Sequence, residues 1–175
     1  FVEDVRKNVV EKYGFDKVYK QGFNIKTPLN LDLQNIATKA LRVGLVNYDK
    51  RKGWRGSLIN KKYNDKWTEG LEKFKLENSI GWNIAIIKRI DKFEAIIETT
   101  DKQTGIIEYE DINWTRKNFN KLFKVGDVIY VKKKNEGNYS LKQLPKANGA
   151  IVVMDPYSGR VYAISGGFSF KKSEF

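Results

Sequence analysis

The hydrophobic positions of this chain first recur at helical spacing. Apolar side chains return every three or four positions in residues 1–13 and again in residues 30–47, which predicts an amphipathic helix in each segment. Gly14 is expected to end the first helix, and Asn30 to cap the second, because its side chain can accept a backbone N–H at a helix start. Residues 23–27 lie between the helices and alternate with the period of a short strand.

From Gly81 onwards the period of the apolar positions changes to two, which predicts strands. The five predicted strands are residues 82–90, 93–100, 106–109, 128–132 and 139–144. Many short strands with closely spaced turns favour a small OB-like five-stranded β-barrel, because closure removes exposed strand edges. A short helix is predicted at residues 64–74 and a helical turn at residues 119–122. The fold class is therefore α+β.

A β-hairpin is predicted near the end of the sequence. Residues 150–154 and 161–164 are apolar runs, and the segment Asp155-Pro156-Tyr157-Ser158-Gly159 joins them. Proline presets the second position of a turn and glycine accepts positive φ near its end, so the two runs are expected to pair.

Composition narrows the chemistry that the chain can perform. Its 175 residues are enough for one domain or two small ones, and 41% hydrophobic residues support a packed core. The sequence starts at Phe1 and shows no signal peptide or membrane-spanning run, so we interpret it as part of a longer protein. It has no cysteine and no histidine, which excludes disulfides, Cys/His zinc sites and Ser-His-Asp catalysis.

The net charge of +12 has two interpretations. It is typical of a protein that binds nucleic acid or another acidic surface. It also follows from a composition rich in lysine, asparagine and isoleucine, in which the charge lies on a solvated surface. We favour the compositional interpretation, because lysine far outnumbers arginine, whose planar fork suits specific phosphate recognition.

Two groups of residues are weak candidates for catalysis. Ser169 precedes Lys172 by three residues, the spacing of a Ser-x-x-Lys nucleophile, but the companion Ser-x-Asn and Lys-Thr-Gly motifs do not accompany it. Glu108, Glu110 and Asp111 cluster among basic residues, as a solvated loop would. We therefore predict no catalytic residue, no metal site and no cofactor in this chain.

Several motifs resemble those of class A penicillin-binding proteins, the bifunctional peptidoglycan synthases. They occur in a specific order along nearly the whole chain. The motifs are GFNIKTPLNLDLQNIATKAL at residues 22–41, YDKRKGWRG at 48–56, Gly81-Trp82, Trp114-Thr115-Arg116, LFKVGDVIYV at 122–131 and GAIVVMDPYSGRVYAISGGFSF at 149–170. Pro28 and Asn30 stand where that family more often has threonine and aspartate.

The resemblance implies a division of the chain. Residues 1–48 would be a linker and the start of the transpeptidase domain, residues 49–146 an OB-like inserted domain, and residues 147–175 the first transpeptidase hairpin, truncated before the catalytic serine. The flanking segments are expected to touch, because each has an apolar face that needs a partner.

The resemblance also implies a function. The parent protein would be an enzyme of cell wall synthesis and cell shape, with glycosyltransferase and D-Ala-D-Ala transpeptidase activities, while this fragment would be non-catalytic. Peptidoglycan and lipid-linked precursors would bind the parent's catalytic domains, and a regulatory protein would dock on the insert. The location would be the periplasmic side of the bacterial cytoplasmic membrane, with an anchoring segment outside this sequence.

Five residues form the candidate partner surface of the insert. They are Trp54, Arg55, Trp82, Trp114 and Arg116. Trp54 lies between glycines, where it can serve as a stacking platform or as an anchor that pins its loop to the domain, which we favour. The alternative function is an OB-type single-stranded nucleic-acid-binding domain, which requires Trp82, Trp114, Tyr130 and Tyr139 to be exposed on one basic face.

Overall fold

The structure is a computed structural model that describes residues 2–169. The described residues form two compact units, one of residues 2–43 with 148–167 and the other of residues 44–147 with 168 and 169. In chain order the helices are α1 (Val2–Tyr13), α2 (Phe15–Lys20), α3 (Leu31–Lys50), α4 (Tyr109–Ile112) and α5 (Phe119–Leu122). The strands are β1 (Ile59–Asn60), β2 (Asn83–Ile90), β3 (Glu94–Thr99), β4 (Thr104–Glu108), β5 (Asp127–Lys133), β6 (Tyr139–Lys142), β7 (Ala150–Met154) and β8 (Val161–Gly166).

The helices of the first unit largely follow the hydrophobic pattern. The Leu33 backbone N–H donates to Asn30 Oδ1 at 3.0 Å, so the predicted N-cap of α3 is confirmed. Gly14, with φ of 82°, ends α1, but a second helix that was not predicted follows at once. The predicted strand at residues 23–27 is wrong, because these residues have no regular secondary structure and pair with no strand in the described part of the chain.

The helix and the hairpin of the first unit touch, as expected for the flanking segments. Gln34 Nε2 donates to the Ile164 carbonyl at 2.8 Å, and the Ile164 N–H donates to Gln34 Oε1 at 3.1 Å. The Asn30 N–H donates to the Tyr162 carbonyl at 2.9 Å. These bonds join α3 to β8, whose predicted pairing with β7 is confirmed.

The second unit is built on an antiparallel sheet in which all five predicted strands form. The strand order is β1-β5-β2-β3-β4, and β6 also pairs with β5. Continuous pairing does not close these strands into a barrel. An isolated parallel bridge joins Ile106 in β4 to Asn138 just before β6, and the Ile106 N–H donates to the Gly137 carbonyl at 2.8 Å.

One segment of the second unit differs from its prediction, and another agrees with it. Residues 64–74 are turns that end in a 3₁₀ turn at Glu72–Phe74, so the predicted helix there is wrong. Gly70 has φ of 73° in the middle of this segment, a conformation that interrupts a right-handed helix. The helical turn predicted at residues 119–122 is confirmed as α5.

Strand β2 is buried on both faces of the sheet. Ala85 and Ile87 belong to one hydrophobic cluster, which includes Phe119 and Leu141 among its members. Ile84 and Ile86 belong to the other, with Trp67, Leu71, Val128 and Tyr130. Alternate side chains of one strand therefore hold two separate cores together, and both cores lie within this unit.

Candidate binding surface

The three tryptophans of the candidate surface are divided between the two hydrophobic clusters. The rings of Trp54 and Trp114 meet edge to face with centroids 6.1 Å apart, and both pack against that cluster. Trp82 packs against the second cluster, with its ring 5.0 Å from that of Phe168. The five residues therefore do not form one continuous surface.

Trp54 is half-buried, which supports the interpretation of this residue as an anchor. Its ring also meets Phe123 edge to face at 6.1 Å, and its indole nitrogen is buried without a hydrogen-bond partner among the described residues. An aromatic platform for stacking needs a free ring face, whereas Trp54 uses its ring to fix the loop of residues 51–56 on the core.

Arg55 belongs to a polar network around a buried carboxylate. Arg55 Nη1 and Gln143 Nε2 each donate to Asp49 at 2.7 Å, and the Lys146 N–H donates at 3.2 Å. Arg55 Nη2 also donates to the Leu144 carbonyl at 2.7 Å. Burial raises the pKa of the Asp49 carboxyl, but the donors from Arg55, Gln143 and Lys146 outweigh it and hold that pKa below its usual range.

Arg116 and Trp114 line a strongly basic cleft of about 360 Å³. The C-terminal end of α3 and the residues directly after it form one side, and the turn after α4 forms the other. The lining residues are Lys50, Arg51, Lys52, Gly53, Asn113, Trp114, Thr115 and Arg116. The Lys50 Nζ atom lies 5.6 Å from the centroid of the Trp114 ring, over its face.

A second buried carboxylate was missed by the sequence analysis. Glu98 in β3 accepts hydrogen bonds from the Tyr63 hydroxyl at 2.6 Å, from Trp67 Nε1 at 3.0 Å and from Lys88 Nζ at 3.2 Å. Lys102 Nζ lies 3.5 Å from the same carboxylate. The network surrounds one fully buried tryptophan, which indicates a structural role in the second cluster.

Two of the weak catalytic candidates are occupied by contacts within the protein. The Ser169 side chain is buried and donates to Glu77 Oε2 at 2.6 Å, whereas a nucleophile must reach its substrate. Lys172 lies outside the described residues. Asp111 pairs with Lys134 at 3.1 Å. Within residues 2–169 no cluster of His, Cys, Asp and Glu side chains has the arrangement of a metal site.

The aromatic residues needed for nucleic-acid stacking are not exposed together. Tyr130 and Tyr139 are buried, and Trp82 and Trp114 are half-buried against different hydrophobic clusters. Stacking of successive bases requires exposed rings along one groove, and these four side chains do not provide it. The nucleic-acid alternative therefore has no structural support.

Helix length and hydropathy bear on the membrane question. Among the helices that the structure describes, none is both long enough and apolar enough to span a bilayer.

Comparison with known proteins gives concordant matches. The sequence model of the "Penicillin-binding protein OB-like domain" family matches residues 54–147. Penicillin-binding protein 1A of Rickettsia prowazekii is 33% identical over all of this chain and 23% of its own length. Penicillin-binding protein 1A of Pseudomonas aeruginosa is 28% identical over 99% of this chain and 22% of its own length.

A solved structure is similar along nearly the whole chain. The crystal structure of penicillin-binding protein 1A from Haemophilus influenzae matches with a TM-score of 0.80 and 27% identity. The match covers 99% of this chain and 26% of that one. The chain thus spans about a quarter of the length of the relatives it matches.

Proposed function

This chain belongs to the penicillin-binding protein OB-like domain family, and from that premise we propose that it is a non-catalytic part of a bifunctional peptidoglycan synthase. The parent protein polymerises glycan strands and cross-links their peptides through catalytic domains outside this chain. The observation that carries the proposal is the match of the whole chain, at a TM-score of 0.80, to one stretch of a penicillin-binding protein 1A. Peptidoglycan and lipid-linked precursors are the substrates of those domains.

We also propose that residues 49–146 are an insert within the transpeptidase part of the parent. Residues 1–48 lead into that part, and residues 147–175 begin its first hairpin. The contact between the Lys146 N–H and Asp49 Oδ1 supports this division, because it places the two ends of the insert side by side. In this proposal the strands of the insert are arranged as an OB-like barrel, and the isolated bridge between Ile106 and Asn138 supports it because it brings β4 beside the start of β6.

The proposed role of the insert is that of a spacer and docking module. It sets the distance between the two catalytic domains and receives a regulatory protein on a surface that includes Arg55, Arg116 and the exposed edges of Trp54 and Trp114, with Trp82 as a separate second contact. The parent acts on the periplasmic side of the cytoplasmic membrane, to which an anchoring segment holds it. In that position it contributes to cell wall growth and cell shape.

Excision of the insert tests this role. In the parent polypeptide, residues 50–145 are replaced by a short Gly-Ser linker that connects Asp49 to Lys146. We expect fluorescent penicillin to label this variant as it labels the intact parent, because the transpeptidase fold does not need the insert. Cross-linking of newly polymerised glycan is expected to fall severalfold, because the two active sites lose their spacing.

A control for the excision keeps the insert and places the same linker after Lys92, in the exposed turn between β2 and β3. The control should cross-link like the intact parent. Normal cross-linking after excision would contradict the spacer role, and loss of penicillin labelling after excision would contradict a separable insert.

A further inference from the structure

Aromatic rings hold three of the cations in the basic cleft described above. The Lys50 Nζ atom lies over the Trp114 ring. Arg51 Cζ and Lys52 Nζ both lie over the ring of Tyr48, at 5.3 and 5.5 Å from its centroid. An aromatic face attracts a cation through its quadrupole but carries no net charge. The rings therefore position these side chains, and the positive charge stays available to an external anion.

Carboxylates do not neutralise the cleft. The cations that line it are Lys50, Arg51, Lys52 and Arg116, and no aspartate or glutamate is among its lining residues. In the part of the chain that the structure describes, none of these cations forms an ion pair with a carboxylate. Arg55 is the contrasting case, since buried Asp49 pairs with it at 2.7 Å. The cleft thus keeps its charge, whereas Arg55 uses its charge within the fold.

Arginine is concentrated at the cleft. The chain has seven arginines against 26 lysines, and two of the seven, Arg51 and Arg116, are among the eight lining residues. A lysine-rich composition accounts for the net charge of +12, but it does not account for this concentration. Guanidinium groups bind carboxylates through two parallel hydrogen bonds, so the composition of the cleft favours recognition of an anion over a merely solvated surface.

The backbone at Arg116 has an unusual conformation. Its φ is 57°, and Lys102 is the only other non-glycine residue with positive φ in the described part of the chain. The Arg116 N–H donates to the Asn113 carbonyl at 3.0 Å, at the end of a 3₁₀ turn. Glycine and asparagine adopt this conformation more readily than arginine. Strain of this kind is common at sites where a side chain is positioned for binding.

Lys142 in β6 indicates that the positive field extends beyond the cleft. Burial lowers the pKa of its amine to about 8, and the charges of Lys50 and Lys132 add to that effect. Asp111 opposes the shift, but it already pairs with Lys134 at 3.1 Å. Positive charge therefore prevails around the cleft as well as inside it.

We propose that this cleft docks an acidic segment of a partner protein, in which aspartates or glutamates lie close together along the chain. Arg51 and Arg116 pair with two of these carboxylates, and the lysines of the cleft add attraction at longer range. Charge complementarity supports this occupant, because clusters of arginine recognise acidic motifs in proteins. The concave shape admits protruding side chains rather than a flat bilayer surface, and a volume of about 360 Å³ holds only a few of them.

The proposal rests on the proposed docking role of the insert and names the chemistry of its partner. Arginine, tryptophan and tyrosine are the residue types that contribute most to binding at protein interfaces. Arg51, Arg116, Trp114 and Tyr48 bring these three types together at one place. The positive field would also speed the association with an acidic partner, at a rate that falls as the salt concentration rises.

The test is a titration of the 175-residue chain with a short fluorescein-labelled peptide that alternates glutamate and glycine, followed by fluorescence anisotropy. The test variant combines Arg51→Gln with Arg116→Asn, because asparagine tolerates the left-handed backbone that Arg116 adopts. We expect the dissociation constant to rise about tenfold, since two charge-assisted contacts are lost. The urea midpoint of each variant confirms that the fold is retained. Absence of binding to the unmodified chain would overturn the proposal.

The matched control removes the same charge elsewhere. Lys62→Gln with Lys66→Gln changes two exposed lysines that do not line the cleft, and its affinity should stay within about twofold of that of the unmodified chain. Equal weakening in the control and the test variant would overturn the proposal, because binding would then follow net charge alone. A peptide with glutamine in place of glutamate should not bind, and equal binding of this peptide would overturn the role of the carboxylates.

Two other polyanions separate a protein partner from the alternatives. Phosphatidylglycerol vesicles and oligothymidylate should each lose no more affinity in the test variant than in the control. A loss larger than that of the peptide would assign the cleft to a lipid surface or to nucleic acid, and would overturn the protein partner.

The proposed function fails by different results. Excision of the insert and penicillin labelling of the parent test that function without the peptide. A chain that does not bind the peptide, from a parent that passes both tests, would overturn the acidic partner alone. A parent that fails both tests would contradict the proposed function, whatever the peptide does.

Discussion

Replacement of Glu98 by alanine is expected to destabilise the folded chain by about 2 to 3 kcal/mol, because a buried donor loses its partner and charge-assisted hydrogen bonds are lost with it. Glu98 is 7% exposed, and its carboxylate accepts the hydroxyl of Tyr63 and the indole N–H of Trp67. Trp67 is only 1% exposed, so its indole nitrogen would lose its partner in a place that water does not reach. Urea denaturation at pH 7 measures the change.

The same carboxylate gives the stability a defined pH dependence. Burial acts to raise the pKa of Glu98, but the hydrogen bonds from Tyr63, Trp67 and Lys88 together have the larger, opposite effect. The pKa therefore falls from 4.5 to about 2. Because the folded pKa is depressed, the stabilisation is fully present above pH 4.5 and is lost as the pH falls towards 2. The shift corresponds to about 3 kcal/mol.

Two further substitutions serve as controls for the predicted effect of Glu98→Ala and its pH dependence. Glu98→Gln keeps an acceptor for Trp67 but cannot ionise, so the loss of stability between pH 4.5 and 2 should shrink in that variant. Glu94→Gln removes a carboxylate from the same strand outside the network, and it should change the stability by less than about 0.5 kcal/mol. The account of this network is wrong if Glu98→Ala unfolds at the same urea concentration as the unmodified chain.

Gly126→Ala is the second substitution expected to have a large effect, at about 3 to 5 kcal/mol. Gly126 precedes β5 with φ of 89°, and a Cβ atom there would overlap the backbone carbonyl oxygen of Lys61. Movement of the backbone would break two hydrogen bonds, from the Gly126 N–H to the Ile87 carbonyl at 2.8 Å and from the Lys61 N–H to the Gly126 carbonyl at 2.9 Å. The free-energy cost of the positive φ therefore adds to the cost of relieving the overlap with Lys61.

Gly70→Ala is the matched control for this clash. Gly70 also has positive φ, at 73°, but no atom lies within 4 Å of the position of its Cβ. The control should therefore cost only the backbone penalty, about 1 to 2 kcal/mol. Thermal and urea unfolding of both variants give the comparison, and equal losses of stability would show that the contact with Lys61 carries no cost.

Alternation and turn residues predicted β2 to β8, but they missed the short β1 and also predicted a strand at residues 23–27 that does not form. Residues 128–131 are a continuous apolar run and residues 139–142 alternate between apolar and polar positions, and each segment forms a strand close to its predicted bounds. The error at residues 64–74 has a physical cause. Trp67, Leu71 and Phe74 have the spacing of one helix face, yet a series of turns around Gly70 also directs the first two into the core.

Long-range polar pairs could not be predicted from local pattern. Asp49 and Gln143 are separated by 94 residues, and Glu98 and Trp67 by 31, so no periodicity relates the members of either pair. The cleft was predicted only in part. Trp114 and Arg116 were selected because the segment Trp114-Thr115-Arg116 resembles the insert of the family, whereas the run from Lys50 to Lys52 has the composition of any solvated loop.

Labelling with fluorescent penicillin tests the central claim most directly, which is that this chain is a non-catalytic part of a peptidoglycan synthase. The account predicts that the parent polypeptide forms a covalent adduct that excess unlabelled penicillin prevents, while the 175-residue chain remains unlabelled. Absence of labelling in the parent would contradict the proposed function. Labelling of the 175-residue chain that disappears in its Ser169→Ala variant would contradict the claim that the chain is non-catalytic.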